Sequence, residues 1–128
     1  MQCWGMPKRS FHRARAAARA LSYSVHTAAD ELIARRSPGL RNQLLRAVAS
    51  VPANIAEAEH QTSDAQALNF LRIALSSANE VGAHLETAAD AGALSPKAYT
   101  ACQGTKQVVK VMLQRLIARL EEDAHRRP

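Results

Sequence analysis

Apolar residues recur in this chain at alternating steps of three and four positions, and this spacing constrains the fold more than any other sequence feature. Such steps place side chains along one side of an α-helix, as in helices that pack together in a bundle. Four segments carry a series of this kind, so the sequence predicts four helices. The series are Phe11, Ala14, Ala18, Leu21, Val25, Ala28 and Leu32; Leu40, Leu44, Val48, Val51 and Ile55; Leu68, Leu71, Leu75, Ala78, Gly82, Leu85 and Ala89; and Ala98, Cys102, Thr105, Val109, Met112, Leu116 and Leu120.

The breaks between the series fall at residues that cap or interrupt helices. Ser10 is a candidate N-cap for the first helix, and Ser-Pro-Gly at 37–39 separates the first helix from the second. Ser63 and its neighbours offer caps for the third helix, Gly92 can take the left-handed conformation that ends it, and Ser95 precedes Pro96 at the start of the fourth. Such short connections predict an all-α fold, an antiparallel up-down-up-down four-helix bundle.

The domain organisation follows from where the periodicity begins and ends. We expect a loose N-terminal leader at 1–9, a four-helix bundle domain at 10–124 and a C-terminal tail at 125–128. Pro52 lies inside the second series, where its ring lacks a backbone donor and crowds the carbonyl of Val48. We therefore expect a kink or a local break in that helix.

Positive charge is concentrated in the first part of the chain. The net charge is +6, and residues 1–50 carry nine Lys or Arg against two acids. A basic balance of this kind favours a polyanionic partner, RNA or DNA, although solubility alone also explains it. The candidate phosphate-contacting residues are Arg9, Arg13, Arg15, Arg19, Arg35, Arg36, Arg41 and Arg46.

Known catalytic and metal-binding patterns do not fit the sequence. Glu57 and His60 form a Glu-x-x-His pair, but a di-iron bundle needs a second copy, and Glu80 is followed by His84 at the wrong spacing. The two cysteines are too few for a zinc site, and no Gly-rich phosphate loop or nucleophile motif is present. We expect a non-enzymatic protein without a cofactor or metal.

A membrane location is not predicted either. No run of residues approaches the roughly 18 apolar positions of a membrane span, and arginines interrupt any signal-peptide core near the start of the chain. We expect no membrane partner and a cytoplasmic location.

The second and third segments carry a recognisable pattern of residues. Ser50-Val51-Pro52-Ala53-Asn54-Ile55-Ala56-Glu57 is followed by Phe70-Leu71-Arg72-Ile73-Ala74, Ser77 and Glu80. The pattern resembles the "four helix bundle protein" family, first noticed as short reading frames in intervening sequences of bacterial 23S ribosomal RNA genes. The family usually has glycine after the signature glutamate, where this chain has Ala58.

The resemblance implies an uncharacterised cytosolic bundle that assembles as a homo-oligomer, often a ring of five subunits. A more distant similarity is to the basic accessory variability proteins of retroelements, which are pentameric bundles that bind nucleic acid and a reverse transcriptase. Within the signature, we expect the Asn54 amide to bond carbonyls freed at Pro52. We expect Glu57, Arg46 and Glu80 to be solvated or to pair across a subunit interface.

Three hypotheses follow from the sequence. The first is a homo-oligomeric, pentameric protein whose basic surface contacts RNA or DNA backbone. The second is a protein-interaction scaffold whose charge serves only solubility. The third, a metal-dependent bundle enzyme, depends on Glu57 and His60.

Overall fold

Four long α-helices form the part of the chain that the structure, a computed structural model, describes, namely residues 8–34 and 37–126. Each helix packs against the next, and the last packs against the first, so the helices lie at the corners of a square. The predicted fold class, an all-α antiparallel four-helix bundle, is confirmed. The helices are α1 (Lys8–Ala34), α2 (Pro38–Glu59), α3 (Asp64–Asp90) and α4 (Pro96–Arg126).

The apolar series meet in a single core along the axis of the bundle. Large aliphatic side chains from all four helices are fully buried there, and alanines such as Ala18, Ala74 and Ala78 let the helices approach closely. Burial of this apolar surface is the main source of stability for the fold. The largest fully buried side chains include Leu21, Leu32, Leu44, Ile55, Leu71, Leu85, Leu113 and Leu120.

Most helix ends lie where the capping residues predict them. The Ser63 hydroxyl accepts a hydrogen bond from the Gln66 amide at 3.2 Å, and the Ser95 hydroxyl accepts one from the Ala98 amide at the same distance. Gly92 follows α3 with a φ of +71°, the left-handed conformation that favours glycine. These three predictions are confirmed, whereas Ser10 is not an N-cap because α1 already begins at Lys8.

Pro52 does not break its helix, so of the two expected alternatives the local break is wrong, and the kink remains a prediction. The helix α2 runs without interruption from Pro38 to Glu59. Val48, Val51 and Ile55, on either side of the proline, are fully buried. A buried aliphatic side chain contributes about 1.5–3 kcal/mol, so the three together contribute about 4.5–9 kcal/mol, more than the roughly 3 kcal/mol that an interior proline costs.

Several sequence predictions fall outside the described residues. These are the first seven residues of the predicted leader, the last two residues of the chain, and the candidates Arg35 and Arg36. The helix α4 continues through His125 to Arg126. The domain boundaries remain predictions.

Candidate functional site

The residues of the signature pattern form a polar network between α2 and α3. The Ser77 hydroxyl donates to the Ser50 hydroxyl at 2.8 Å, and the Asn54 amide donates to the same hydroxyl at 3.0 Å and to the Ser50 carbonyl at 2.8 Å. Asn54 therefore bonds the carbonyl four residues before it. The carbonyl freed by Pro52 belongs to Val48, so the expected role of Asn54 is corrected. Within this network, the bond from Ser77 to Ser50 joins α3 to α2.

The other polar residues of the pattern lie on the surface. Glu57 and Arg46 are exposed. Glu80 lies 3.3 Å from His84 on the same helix, a weak surface pair. Pairing of these residues across a subunit interface remains a prediction. In the described ranges, no three His, Cys, Asp or Glu side chains come close enough to hold a metal ion.

The predicted arginines differ in their surroundings. Arg15 has a partner, because its Nη1 lies 2.7 Å from Oε1 of Glu59 across the α1–α2 contact. The contact is an ion pair without a hydrogen bond, because the Arg15 guanidinium and the Glu59 oxygen are not aligned for one. Arg41 is half-buried, and its Nε has no hydrogen-bond partner among the described residues. Arg9 and Arg19 are exposed on α1.

Arg13 lies in a cleft between α1 and α4, close to the start of α1. The cleft has a volume of about 220 Å³. Three arginines and one serine supply its polar groups, and two apolar side chains complete the lining. We call it the basic cleft, and it consists of Ser10, Arg13, Met112, Arg115, Leu116 and Arg119.

None of the three arginines of the basic cleft has an acidic partner within residues 8–34 and 37–126. The ion pairs described there join Arg15 to Glu59, Arg72 to Glu121, His84 to Glu80 and Arg126 to Glu122. On α4, Glu121 and Glu122 pair with Arg72 and Arg126. Asp123 follows Arg119 by one helical turn but forms no ion pair in the described ranges. The basic cleft therefore gathers three arginines, none of which forms an ion pair in the part of the chain that the structure describes.

Another cleft on the outer face of α1 is less basic. It has a volume of about 240 Å³ and is lined by His12, Arg15, Ala16 and Arg19. Because Arg15 is already paired with Glu59, only Arg19 contributes an uncompensated charge. More unpaired arginines therefore line the basic cleft than this one.

Sequence reasoning missed Arg115 and Arg119. They stand four residues apart on α4, so they share one side of that helix. Leu116 between them belongs to the predicted core series, which places the pair at the edge of the core. Their spacing can be read from the sequence. Which helix they face depends instead on the order of the four helices around the bundle.

The opposite end of the groove between α1 and α4 contains an apolar cleft. Its volume is about 330 Å³, and its lining includes Tyr23, Ala28, Glu31, Ala98 and Cys102. Tyr23 is 77% exposed. The Glu31 carboxylate accepts hydrogen bonds from the backbone amide and hydroxyl of Ser95 at 2.7 and 2.9 Å, so it ties α1 to the start of α4.

Cys102 lies at the base of the apolar cleft and is unsuited to nucleophilic chemistry. Its thiol is buried and donates to the Ser24 carbonyl at 3.4 Å. Burial, and secondly the negative charge of Glu31, raises the pKa of the Cys102 thiol to about 11. The thiolate, the reactive form, is therefore scarce at neutral pH.

Comparisons with known proteins agree with the fold and with the predicted resemblance. The model of the 23S rRNA-intervening sequence protein family matches residues 13–115. The chain is also similar to a crystal structure of a protein of unknown function from the S23 ribosomal protein family of Bacteroides thetaiotaomicron. The TM-score is 0.81 at 24% identity, over 85% of this chain and 98% of that one. No curated protein matches the chain. No helix within the described ranges is long and apolar enough to cross a membrane.

Proposed function

We propose that this chain, which belongs to the 23S rRNA-intervening sequence protein family, is a non-enzymatic, homo-oligomeric protein of the cytoplasm that binds the phosphate backbone of RNA or DNA. The basic cleft is the observation that carries the proposal. Arg13 from α1 and Arg115 and Arg119 from α4 line it together.

Arginine is well suited to this role. Its planar guanidinium presents five donors in a fork that matches the oxygens of a phosphate, and it stays charged at any physiological pH. Binding of a phosphate also releases counterions from the nucleic acid, which supplies much of the affinity of such contacts.

The clustered charges have an energetic cost in the free protein. Like charges four residues apart on a helix, such as Arg115 and Arg119, destabilise it by a few tenths of a kcal/mol. Folding then adds Arg13 from a second helix. An anion in the cleft relieves the repulsion among all three guanidiniums, so binding an anion is favourable at this place.

Oligomerisation multiplies the effect of the cleft. Small or amphipathic side chains lie exposed on the outer face of α1, namely Ala16, Ala20 and Tyr23, and they allow a second copy to approach closely. The family resemblance favours a ring of five. Each subunit would repeat the basic cleft on the same particle, and the repetition increases avidity for a long polyanion.

A protein-interaction scaffold is the second candidate function, and the apolar cleft favours it. Tyr23 is exposed beside a concave, largely apolar surface, and aromatic residues of this kind are enriched at protein interfaces. In that case the positive charge serves only solubility.

Titration with labelled RNA and DNA at about 50 and 200 mM salt tests the proposal, with the mass of the assembly recorded in both buffers. Binding that weakens steeply with salt, from an oligomer, supports a polyanion-binding assembly. The absence of binding at low salt contradicts it and favours the scaffold.

A further inference from the structure

We propose that the basic cleft binds the terminal phosphate of a nucleic-acid strand in preference to the phosphates within the strand. The inference rests on the proposed function and specifies the chemical group that the cleft takes. The arrangement of Arg13, Arg115 and Arg119 around one small concavity carries it.

The size of the basic cleft limits what can enter. Its volume of about 220 Å³ is below the roughly 300–1,000 Å³ of sites that enclose a whole small molecule. A phosphate group and part of its sugar fit a space of this size, whereas a rigid double helix cannot enter it. The end of a strand is the part that can insert most freely.

The charge of the basic cleft matches a terminal phosphate better than an internal one. A phosphate monoester carries a charge of about −1.5 to −2 at neutral pH and presents three acceptor oxygens. A phosphodiester within a strand carries a single charge and has two unesterified oxygens. Three arginines that line one small cleft complement the monoester, whereas a surface that follows internal phosphates needs its cations spread along the strand.

The apolar part of the lining fits the sugar that follows the phosphate. Met112 is partly buried and Leu116 is almost fully buried, so both form a floor beneath the arginines. The carbon atoms of a terminal ribose or deoxyribose can contact this floor while the phosphate meets the guanidiniums. The Ser10 hydroxyl supplies one further donor at the rim.

Matched oligonucleotides test the inference with the full-length protein. One single-stranded sequence is prepared with a 5′-phosphate, with a 3′-phosphate, and with hydroxyl groups at both ends. A fourth oligonucleotide has hydroxyl ends and one additional nucleotide, so it carries nearly the charge of the phosphorylated strands without a terminal phosphate.

We expect one of the end-phosphorylated strands to bind roughly tenfold more tightly than the longer hydroxyl strand, the effect of one additional charge-assisted hydrogen bond. Which end is preferred identifies the strand polarity that the cleft accepts. Arg119→Gln should remove most of this difference, while Lys110→Gln, on α4 but outside the lining of the basic cleft, should keep it. Thermal unfolding of both variants checks that each is folded.

Equal affinities for the end-phosphorylated strands and the longer hydroxyl strand, with steep salt dependence, overturn the inference and leave the proposed function intact. Weak binding of every strand at low salt overturns both. A preference that persists in Arg119→Gln also contradicts the inference, because the terminal phosphate is then recognised elsewhere.

Discussion

The contact between α2 and α3 and the groove between α1 and α4 use polar residues in opposite ways. At the contact between α2 and α3, the Ser50 hydroxyl accepts hydrogen bonds from Ser77 on α3 at 2.8 Å and from Asn54 on its own helix at 3.0 Å. In the α1/α4 groove, Arg13 and its two arginine neighbours on α4 have no acidic partner among the described residues. Polar groups that satisfy each other stabilise the architecture, whereas uncompensated charges remain available to a ligand.

The contrast explains why the family signature says more about fold than about function. The signature residues Ser50 and Ser77 form a hydrogen bond between α2 and α3, and Asn54 bonds Ser50 within α2. The basic cleft lies elsewhere in the bundle, with one of its arginines, Arg119, beyond the 13–115 range that the family model matches. Membership of the family therefore supports the bundle, and the site must be argued from its own residues.

The largest expected effect is a loss of stability on substitution in the core, compared with a substitution in the groove. Leu71→Ala removes a fully buried side chain of α3 and leaves a cavity. We expect the free energy of unfolding to fall by about 2–5 kcal/mol. Urea denaturation measures it. Tyr23→Ala, at the exposed rim of the apolar cleft, is the control and should change the free energy by about 0.5 kcal/mol or less. Comparable losses of unfolding free energy in the two variants would contradict the distinction between the buried core and the exposed groove.

Cys102 tests whether the groove is closed at its base. Since its pKa is raised from an ordinary 9.0 to about 11, the thiolate fraction at pH 8 should be about a hundredfold lower in the folded than in the unfolded chain. We expect alkylation to be slower by at least this factor, measured in a Cys3→Ser background so that only Cys102 reacts. Equally rapid alkylation of the folded and unfolded protein would show that the groove opens to solvent.

The same pKa shift has a consequence for stability. The folded chain holds the Cys102 proton more tightly than the unfolded chain does, so this contribution to stability is complete below about pH 9. It is lost as the pH rises towards 11. Cys102→Ala should therefore show a shallower loss of stability between these pH values than the parent protein in urea titrations.

Ser50→Ala tests the polar network. The substitution removes the hydroxyl that accepts from both Asn54 and Ser77. We expect a loss of about 1–3 kcal/mol, because a part-buried donor is left without its partner. Ser76→Ala, next to Ser77 but exposed, is the matched control and should be neutral. A double-mutant cycle of Ser50→Ala with Ser77→Ala should give a coupling energy clearly different from zero.

The smallest expected effect on stability is that of substituting Arg15, which forms an ion pair with Glu59. Arg15→Gln removes the ion pair with Glu59 and should lower the free energy of unfolding by about 0.2–1 kcal/mol. Arg19→Gln, exposed on the same helix, should leave it unchanged, and thermal unfolding compares the two. An equal effect of both substitutions would mean that the Arg15–Glu59 pair does not stabilise the fold.

Local rules were sufficient to predict the four helices but not the site. The apolar steps, Ser63, Gly92 and Ser95 each act within a few residues of the chain, so their consequences can be read from the sequence. Whether α2 continues through Pro52 could not be read from the sequence, because burial of its neighbours on that helix outweighs the lost hydrogen bond.

Long-range geometry decided what sequence reasoning missed. Arg13 and Arg119 come together only because α4 returns to pack against α1, which no local pattern encodes. Asn54 was recognised as structural but assigned to the wrong acceptor. From Asn54, the Ser50 carbonyl lies one helical turn back, whereas the Val48 carbonyl lies six residues back and is harder to reach.

The salt dependence of binding to single-stranded nucleic acid tests most directly whether the α1/α4 groove holds the polyanion site. The double substitution Arg115→Gln with Arg119→Gln is compared with Lys97→Gln with Lys110→Gln, which removes the same charge on α4 outside the basic cleft. We expect only the first pair to lower the slope of log affinity against log salt appreciably, by roughly one to two. Equal changes in slope for the two pairs would contradict it, because binding would then depend on net charge alone.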